Sequence, residues 1–322
     1  MENLPFIMGA QYYRAPTPGP EAWEQDLDRM RELGCNAVKY WVQWRWSSRE
    51  PGAYYFDDLD RLMDLASERD LRVTLNVIFD VAPLWLYEKY PDAKQIRADG
   101  TIVEPRAVAS RQIGGYPGPC LLHPGAREAR GEFLTATVQH FKNHPAMDMW
   151  DIWNEAKLGL PRGQTRTHER LLCYCQHCRK NFIKWLVEKY NNDLQKLNAV
   201  WGRCYGDWAQ VEMPLGCNAI ADFVDYREFQ IETLAGEAQW RIDLAHKLDP
   251  ARTAYLHVVP STGEAWDAVV CAADDFALAE PCDIFAATVN HQPFSMAQVL
   301  SAARGKTVYN VESHVNHGLI VR

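Results

Sequence analysis

Met147-Asp148-Met149-Trp150-Asp151-Ile152-Trp153-Asn154-Glu155 is the stretch on which the fold turns. Its apolar, aromatic-rich body has the character of a buried strand, and it stops abruptly at an amide followed by a carboxylic acid. At the carboxyl end of a barrel strand, Asn154 can hydrogen-bond a sugar hydroxyl and Glu155 can protonate a glycosidic oxygen. An ordinary strand followed by a solvated glutamate is the competing explanation. A second carboxylate decides between them.

The flanking chain repeats the pattern of short apolar strands separated by amphipathic helices, as in an α/β fold with parallel strands. Strands are expected at Ile7–Tyr13, Ala37–Trp41, Arg72–Phe79, Met147–Trp153, Ala254–Val259, Asp283–Val289 and Thr307–Val311. Helices are expected at Pro20–Leu33, Asp57–Arg69, Gly125–Lys142, Asn181–Tyr190, Ile220–Leu248 and Ser295–Arg304. In the first of these, Trp23, Leu27, Met30 and Leu33 share one face and Gly34 supplies the stop. The fold expected is a (β/α)8 TIM barrel in which the eighth strand and helix are missing from this chain. Two connections, Asp80 to about Pro124 and Ala156 to about Asp222, far exceed the usual loop of about 2–6 residues. Both follow strands, which puts them on the catalytic face of a barrel. One domain, residues 1–322, is expected, with an insertion around 156–222.

Thr307-Val308-Tyr309-Asn310-Val311-Glu312 is a second β-branched and aromatic strand that ends in a glutamate. A retaining glycosidase needs two carboxyl groups about 5–5.5 Å apart, one as nucleophile and one as acid/base. Glutamates closing the fourth and seventh strands of a barrel can face each other across its mouth. Glu155 is then the acid/base and Glu312 the nucleophile. Asp80, Asp151, Glu264 and Asp283 are other carboxylates in reach of such a role. Asp151 is better suited to a structural hydrogen bond, because strand alternation turns it away from the face of Asn154.

Cys173-Tyr174-Cys175-Gln176-His177-Cys178 places three thiols within a short basic stretch of the second long connection. Tetrahedral zinc takes four such ligands. Cys120, in the other long connection, is the best fourth ligand and His177 the alternative. A zinc ion there would be structural, pinning the two connections together beside the site.

Composition narrows the partners. The net charge of −8 gives no support for nucleic acid or an anionic membrane surface. No window approaches the ~20 apolar residues of a bilayer span. Met1-Glu2-Asn3-Leu4-Pro5 has no signal-like character, and the nine cysteines are an odd count, so free thiols and a cytoplasmic location are expected. No glycine-rich nucleotide-binding turn accompanies the cysteines, which argues against an oxidoreductase.

With these residues in place, the chain resembles glycoside hydrolase family 42, the zinc-containing β-galactosidases. The resemblance runs through Gly9-Ala10-Gln11-Tyr12-Tyr13, Asp26–Asn36, Trp46 with Glu50-Pro51-Gly52-Ala53-Tyr54 and Phe56, and Ala82-Pro83-Leu84-Trp85-Leu86 with Tyr90-Pro91. It continues through His144-Pro145, Trp150 and Asn154-Glu155. The most specific stretch is Cys173–Cys178 with Phe182, Trp185, Leu186 and Leu197-Asn198-Ala199-Val200-Trp201-Gly202. The resemblance implies Glu155 as acid/base with Asn154 beside it, Glu312 as nucleophile, and zinc on Cys120, Cys173, Cys175 and Cys178. It implies a small oligosaccharide or glycoside as substrate, no organic cofactor, and a homo-oligomer, a trimer in the family. Arg14, just past the first strand, is expected to bind a ring hydroxyl. Trp46, Asn290 and His291 are the other expected substrate contacts. Three segments depart from the family: Gly114–Pro119 with Arg111 upstream, Thr288–Pro293, and Ser313-His314-Val315-Asn316. All line the sugar pocket in the family, so they bear on which sugar is taken rather than on the chemistry. The family's C-terminal domains are not expected within these residues. A sugar-binding or scaffold barrel without turnover is the alternative function.

Overall fold

The computed structural model describes residues 6–104, 118–158, 171–216, 219–259, 271–288 and 293–312. Its strands are β1 (Gly9–Tyr13), β2 (Ala37–Gln43), β3 (Arg72–Ile78), β4 (Met147–Asp151), β5 (Ala254–Tyr255), β6 (His257–Val258), β7 (Phe285–Thr288) and β8 (Val308–Glu312). All pairings are parallel, in the orders β1-β2-β3-β4-β5 and β6-β7-β8. β5 and β6 are two pieces of one strand interrupted at Leu256. The chain beyond β4 pairs with both, since Ile152 donates its N–H to the Tyr255 carbonyl (2.8 Å) and His257 donates to the Trp153 carbonyl (3.2 Å). The sheet thus carries seven barrel strands, with a seam between β8 and β1 where, among the described residues, no strand lies.

β2, β3, β4 and β7 form because they bury both faces, as parallel strands under helices do. Every residue of β2 is buried, Lys39 and Gln43 included. Between strands, the helix Pro20–Glu32 starts on a proline at its first position, and the helix Asp57–Ser67 has Asp57, Asp58 and Asp60 in its first turn. The long helix Ile220–Leu248 packs against the helix Pro124–Phe141.

The two long connections are partly helical rather than open loop. Leu84–Lys89 and Leu194–Trp201 form short helices, and the latter is closed by Asp193 at its start and Gly202 (φ 64°) at its end. The helix expected at Asn181–Tyr190 starts earlier, at Gln176, because the Cys175 sulfur accepts the Cys178 N–H and caps it. A second, smaller core of Phe182, Leu186, Trp201, Tyr226 and Phe229 fastens this region to the long helix.

Candidate active site

The carboxyl ends of β4 and β8 carry the two glutamates. Past β4 the chain turns sharply, and Glu155 takes a left-handed conformation (φ 50°). For a residue with a side chain this costs on the order of 1–2 kcal/mol, a strain found most often where a side chain must be aimed. Backbone bonds from β6 hold both sides of the turn: His257 N–H to the Trp153 carbonyl, and Ala156 N–H to the His257 carbonyl (3.3 Å). Lys157 Nζ lies 3.3 Å from Glu155 Oε2. Asn154 is buried, and its Oδ1 meets no donor among the described residues. Trp153 stacks under the Arg241 guanidinium, 3.7 Å from the ring centre, and Arg241 also lies 4.6 Å from the Phe79 ring centre. Buried Glu237 anchors that arginine (3.0 Å), along with Arg130 and Arg127.

Glu312 closes β8 just after an irregularity in its pairing with β7, between Ala287 and Thr288. Such a slip re-aims a side chain at a strand end. Arg14 Nη2 donates to Glu312 Oε1 (3.3 Å), and the Arg14 guanidinium lies flat over Trp41, 3.9 Å from its ring centre. On the other side, His257 Nε2 stands 3.9 Å from Glu312 Oε2. His257 Nδ1 meets Asp151 Oδ2 at 2.7 Å, and Lys39 Nζ meets the same oxygen at 2.6 Å. Burial opposes ionisation of Asp151, but His257 and Lys39 outweigh it and hold the carboxyl below its usual range. Asp80, at the end of β3, is affected in the opposite sense. Burial pushes it up to about 6, with Arg241 and Lys157 opposing and Glu155 adding to the rise.

Two strand-end glutamates, each with a cation beside it and joined through the backbone and side chain of one histidine, suit acid/base and nucleophilic work on one substrate. The profile of the β-galactosidase family of glycoside hydrolases matches residues 12–301. The chain belongs to glycoside hydrolase family 42.

Within that family, the β-galactosidase BgaA of Clostridium cellulovorans is 29% identical over 242 residues, covering 72% of this chain and 33% of its own length. The chain therefore spans about a third of that relative. The crystal structure of the β-galactosidase from Bacillus circulans sp. alkalophilus superposes with a TM-score of 0.72 at 22% identity, covering 92% of this chain and 42% of that one. The catalytic domain of a β-amylase from Paenibacillus polymyxa shares the fold at a TM-score of 0.74 and 13% identity, covering 94% and 84%. These two show the TIM-barrel architecture.

The four cysteines expected from the family pattern do come together. Cys120, Cys173, Cys175 and Cys178 are buried, with their sulfurs all within 4.8 Å of one another. The Cys175–Cys120 and Cys120–Cys178 separations are 3.4 and 3.6 Å. A tetrahedron with metal–sulfur bonds of about 2.3 Å has edges of about 3.8 Å, so the donor set and spacing fit a metal. Hydrogen bonds from Cys120, Cys173 and Cys178 hold the Cys175 thiol far below its usual value. His177, the alternative fourth ligand, turns instead to Asp92 (2.8 Å), which His123 also contacts (3.1 Å).

Of the expected substrate contacts, Arg14 and Asn154 lie at the glutamates. Trp46 gives its indole N–H to Asp58 (2.7 Å), which also holds the Tyr13 hydroxyl. Asn290 and His291 lie outside the described residues. Sequence reasoning missed Lys39, His257 and Trp41. A cavity of about 680 Å3 lies away from the glutamates, neither of which lines it. It opens through the seam, between Gly9–Gln11 and Thr307–Val311, with Lys39, Thr74 and Tyr255 at its back.

Proposed function

We propose that this chain carries the catalytic barrel of a retaining exo-β-glycosidase acting on terminal, non-reducing β-galactosides or closely related sugars. The observation that carries the proposal is the placement of Glu155 and Glu312 at the carboxyl ends of β4 and β8, each beside its own cation and both tied to His257. In the first step Glu312 attacks the anomeric carbon while Glu155 gives its proton to the departing oxygen. Glu155, now anionic, takes a proton from water, which displaces the sugar from Glu312 and restores both groups. Arg14 fixes the attacking carboxylate in place, and Lys157 stabilises Glu155 in its anionic state. Asn154, with a buried oxygen free of donors among the described residues, is suited to receive a ring hydroxyl.

Zinc belongs to the same proposal as a structural ion held by Cys120, Cys173, Cys175 and Cys178. It would brace the two long connections and supply no chemistry to the sugar. A cytoplasmic location and a homo-oligomeric state are further parts of it. The absence, among the described residues, of any helix long and apolar enough to cross a membrane is compatible with that location.

Hydrolysis of nitrophenyl β-galactoside, β-glucoside and β-fucoside, repeated with Glu155→Ala and Glu312→Ala, tests the roles. Full activity in either variant sinks the assignment. A second reading is a barrel that binds sugar without turning it over. Saturable galactose binding with no hydrolysis of any glycoside would establish that reading instead.

A further inference from the structure

We infer that Asp151 and His257 form a buried proton-holding dyad that keeps Glu312 ionised for attack. This deepens the nucleophile assignment proposed above and rests on it. Three observations carry it. The first is tautomer. An ionised Asp151 offers only acceptors, so the 2.7 Å contact places a proton on His257 Nδ1. The second is an orphan. His257 is wholly buried, and its Nε2 makes no hydrogen bond among the described residues. The third is direction: that nitrogen stands 3.9 Å from Glu312 Oε2.

A bare Nε2 lone pair facing a carboxylate is unfavourable on both sides, and a buried acceptor left unmet costs about 1–3 kcal/mol. One proton between Nε2 and Oε2 removes the conflict. Residing on Nε2, it leaves Glu312 anionic, as nucleophilic attack requires. The imidazolium is then flanked by two carboxylates, Asp151 and Glu312. When Glu312 becomes a sugar ester its charge disappears, and the proton stays on His257, still paired with Asp151. No proton enters or leaves during the step: the carbon–oxygen bond to Glu312 forms as the glycosidic bond breaks, and Glu155 supplies the leaving-group proton. Hydrolysis regenerates the carboxylate facing the same imidazolium. Among the described residues, the charged and titratable groups around the dyad are Lys39 from β2, Tyr255 from β5, Cys282 just before β7, Glu312 from β8 and Arg14 from the turn after β1. Lys39 and Arg14 oppose a proton on His257, while Asp151, 2.7 Å from Nδ1, and Glu312, 3.9 Å from Nε2, favour it.

His257 is thus a positioning residue for the nucleophile. Its backbone bonds on either side of Asn154-Glu155 also make it the piece that sets one glutamate relative to the other.

Two measurements on the intact chain test the dyad. In protein labelled with 15N-histidine, with His257→Gln supplying the assignment, Nε2 of His257 is expected to carry a proton at pH 7. A bare Nε2 at that pH overturns the proposal whether or not the protein turns over substrate. The second is the rate of covalent labelling of Glu312 by a 2-deoxy-2-fluoro-β-galactoside, followed by mass spectrometry across pH. His257→Gln is expected to slow labelling at least tenfold at pH 6 and to move the acidic limb up by about one pH unit. An unchanged limb, in a variant whose melting temperature matches the parent, also overturns the dyad. Failure of the parent to label at any pH counts against the nucleophile assignment itself, a result separate from the other two.

Discussion

Arg14 is held between an aromatic face and a carboxylate, so its guanidinium has little freedom to reorient. It lies on Trp41 and donates to Glu312. A lysine cannot reproduce a planar stack and an in-plane donor together. Arg14→Lys is therefore expected to lower kcat/KM on nitrophenyl β-galactoside by about tenfold, and Arg14→Ala by about 10²–10³-fold, the usual loss when a charge-stabilising donor is removed. Steady-state kinetics on both variants checks the order. Away from the site, Asp275 is buried and bonded to Gln298 Nε2 (2.5 Å). Burial pushes its carboxyl up to about 6, with Gln298 opposing and Asp274 adding to the rise. The folded form thus holds this proton more tightly than the unfolded chain does. Its contribution favours folding below the unfolded value near 4 and is lost as pH rises through about 6. Asp275→Asn keeps an acceptor for Gln298. It is expected to stabilise the protein at pH 7 by on the order of 1–2 kcal/mol and to flatten the loss of stability between pH 4 and 6. Urea unfolding at pH 4.5 and 7 measures both.

At the scale of elements, the helix Gln176–Lys189 is organised by the same sulfur that serves the cysteine cluster. Cys175 accepts the Cys178 N–H as an N-cap and also contacts Cys120. Serine is a good N-cap but a poor metal ligand, so Cys175→Ser separates the two roles. The helix is expected to persist by far-UV circular dichroism, while bound zinc falls below about half an equivalent by elemental analysis. Removing the metal from the parent with a chelator is expected to lower Tm by several degrees, since closing two long connections with one ion restricts the unfolded chain. An unchanged Tm alongside full metal loss would place the brace elsewhere. The sequence exposed this element only in part. Three local thiols announced a cluster, but a thiol in the capping position is not among the usual helix starts. The helix was therefore expected several residues late. For the fourth ligand the residues alone leave both Cys120 and His177 open, and it is the family resemblance that implies Cys120.

The whole molecule was legible where the signal was local. Strands ending in acids stand out in a one-dimensional pattern, so β4 with Glu155 and β8 with Glu312 were both readable. The partners that tie them were not. Lys39 hides inside a buried run on β2, and Asp151 and His257 sit on β4 and β6 with no shared spacing; only closure of the sheet brings the three together. Trp46, expected as a sugar wall, gives its indole N–H to Asp58, a partner that no local spacing announced. The seam has its own signature. Backbone amides of β1 and β8 that face it are expected to exchange with deuterium at least tenfold faster than those of β2 and β3, which are paired on both sides. Exchange measured by mass spectrometry on peptides covering Gly9–Tyr13 and Val308–Glu312 checks this.

Lys39 forms part of the wall of the cavity between β1 and β8, although only 6% of its surface is exposed. The same ammonium group grips Asp151, which in turn holds His257. A small amine-directed reagent that enters this cavity would therefore disturb the Asp151–His257 pair through Lys39, without meeting either glutamate.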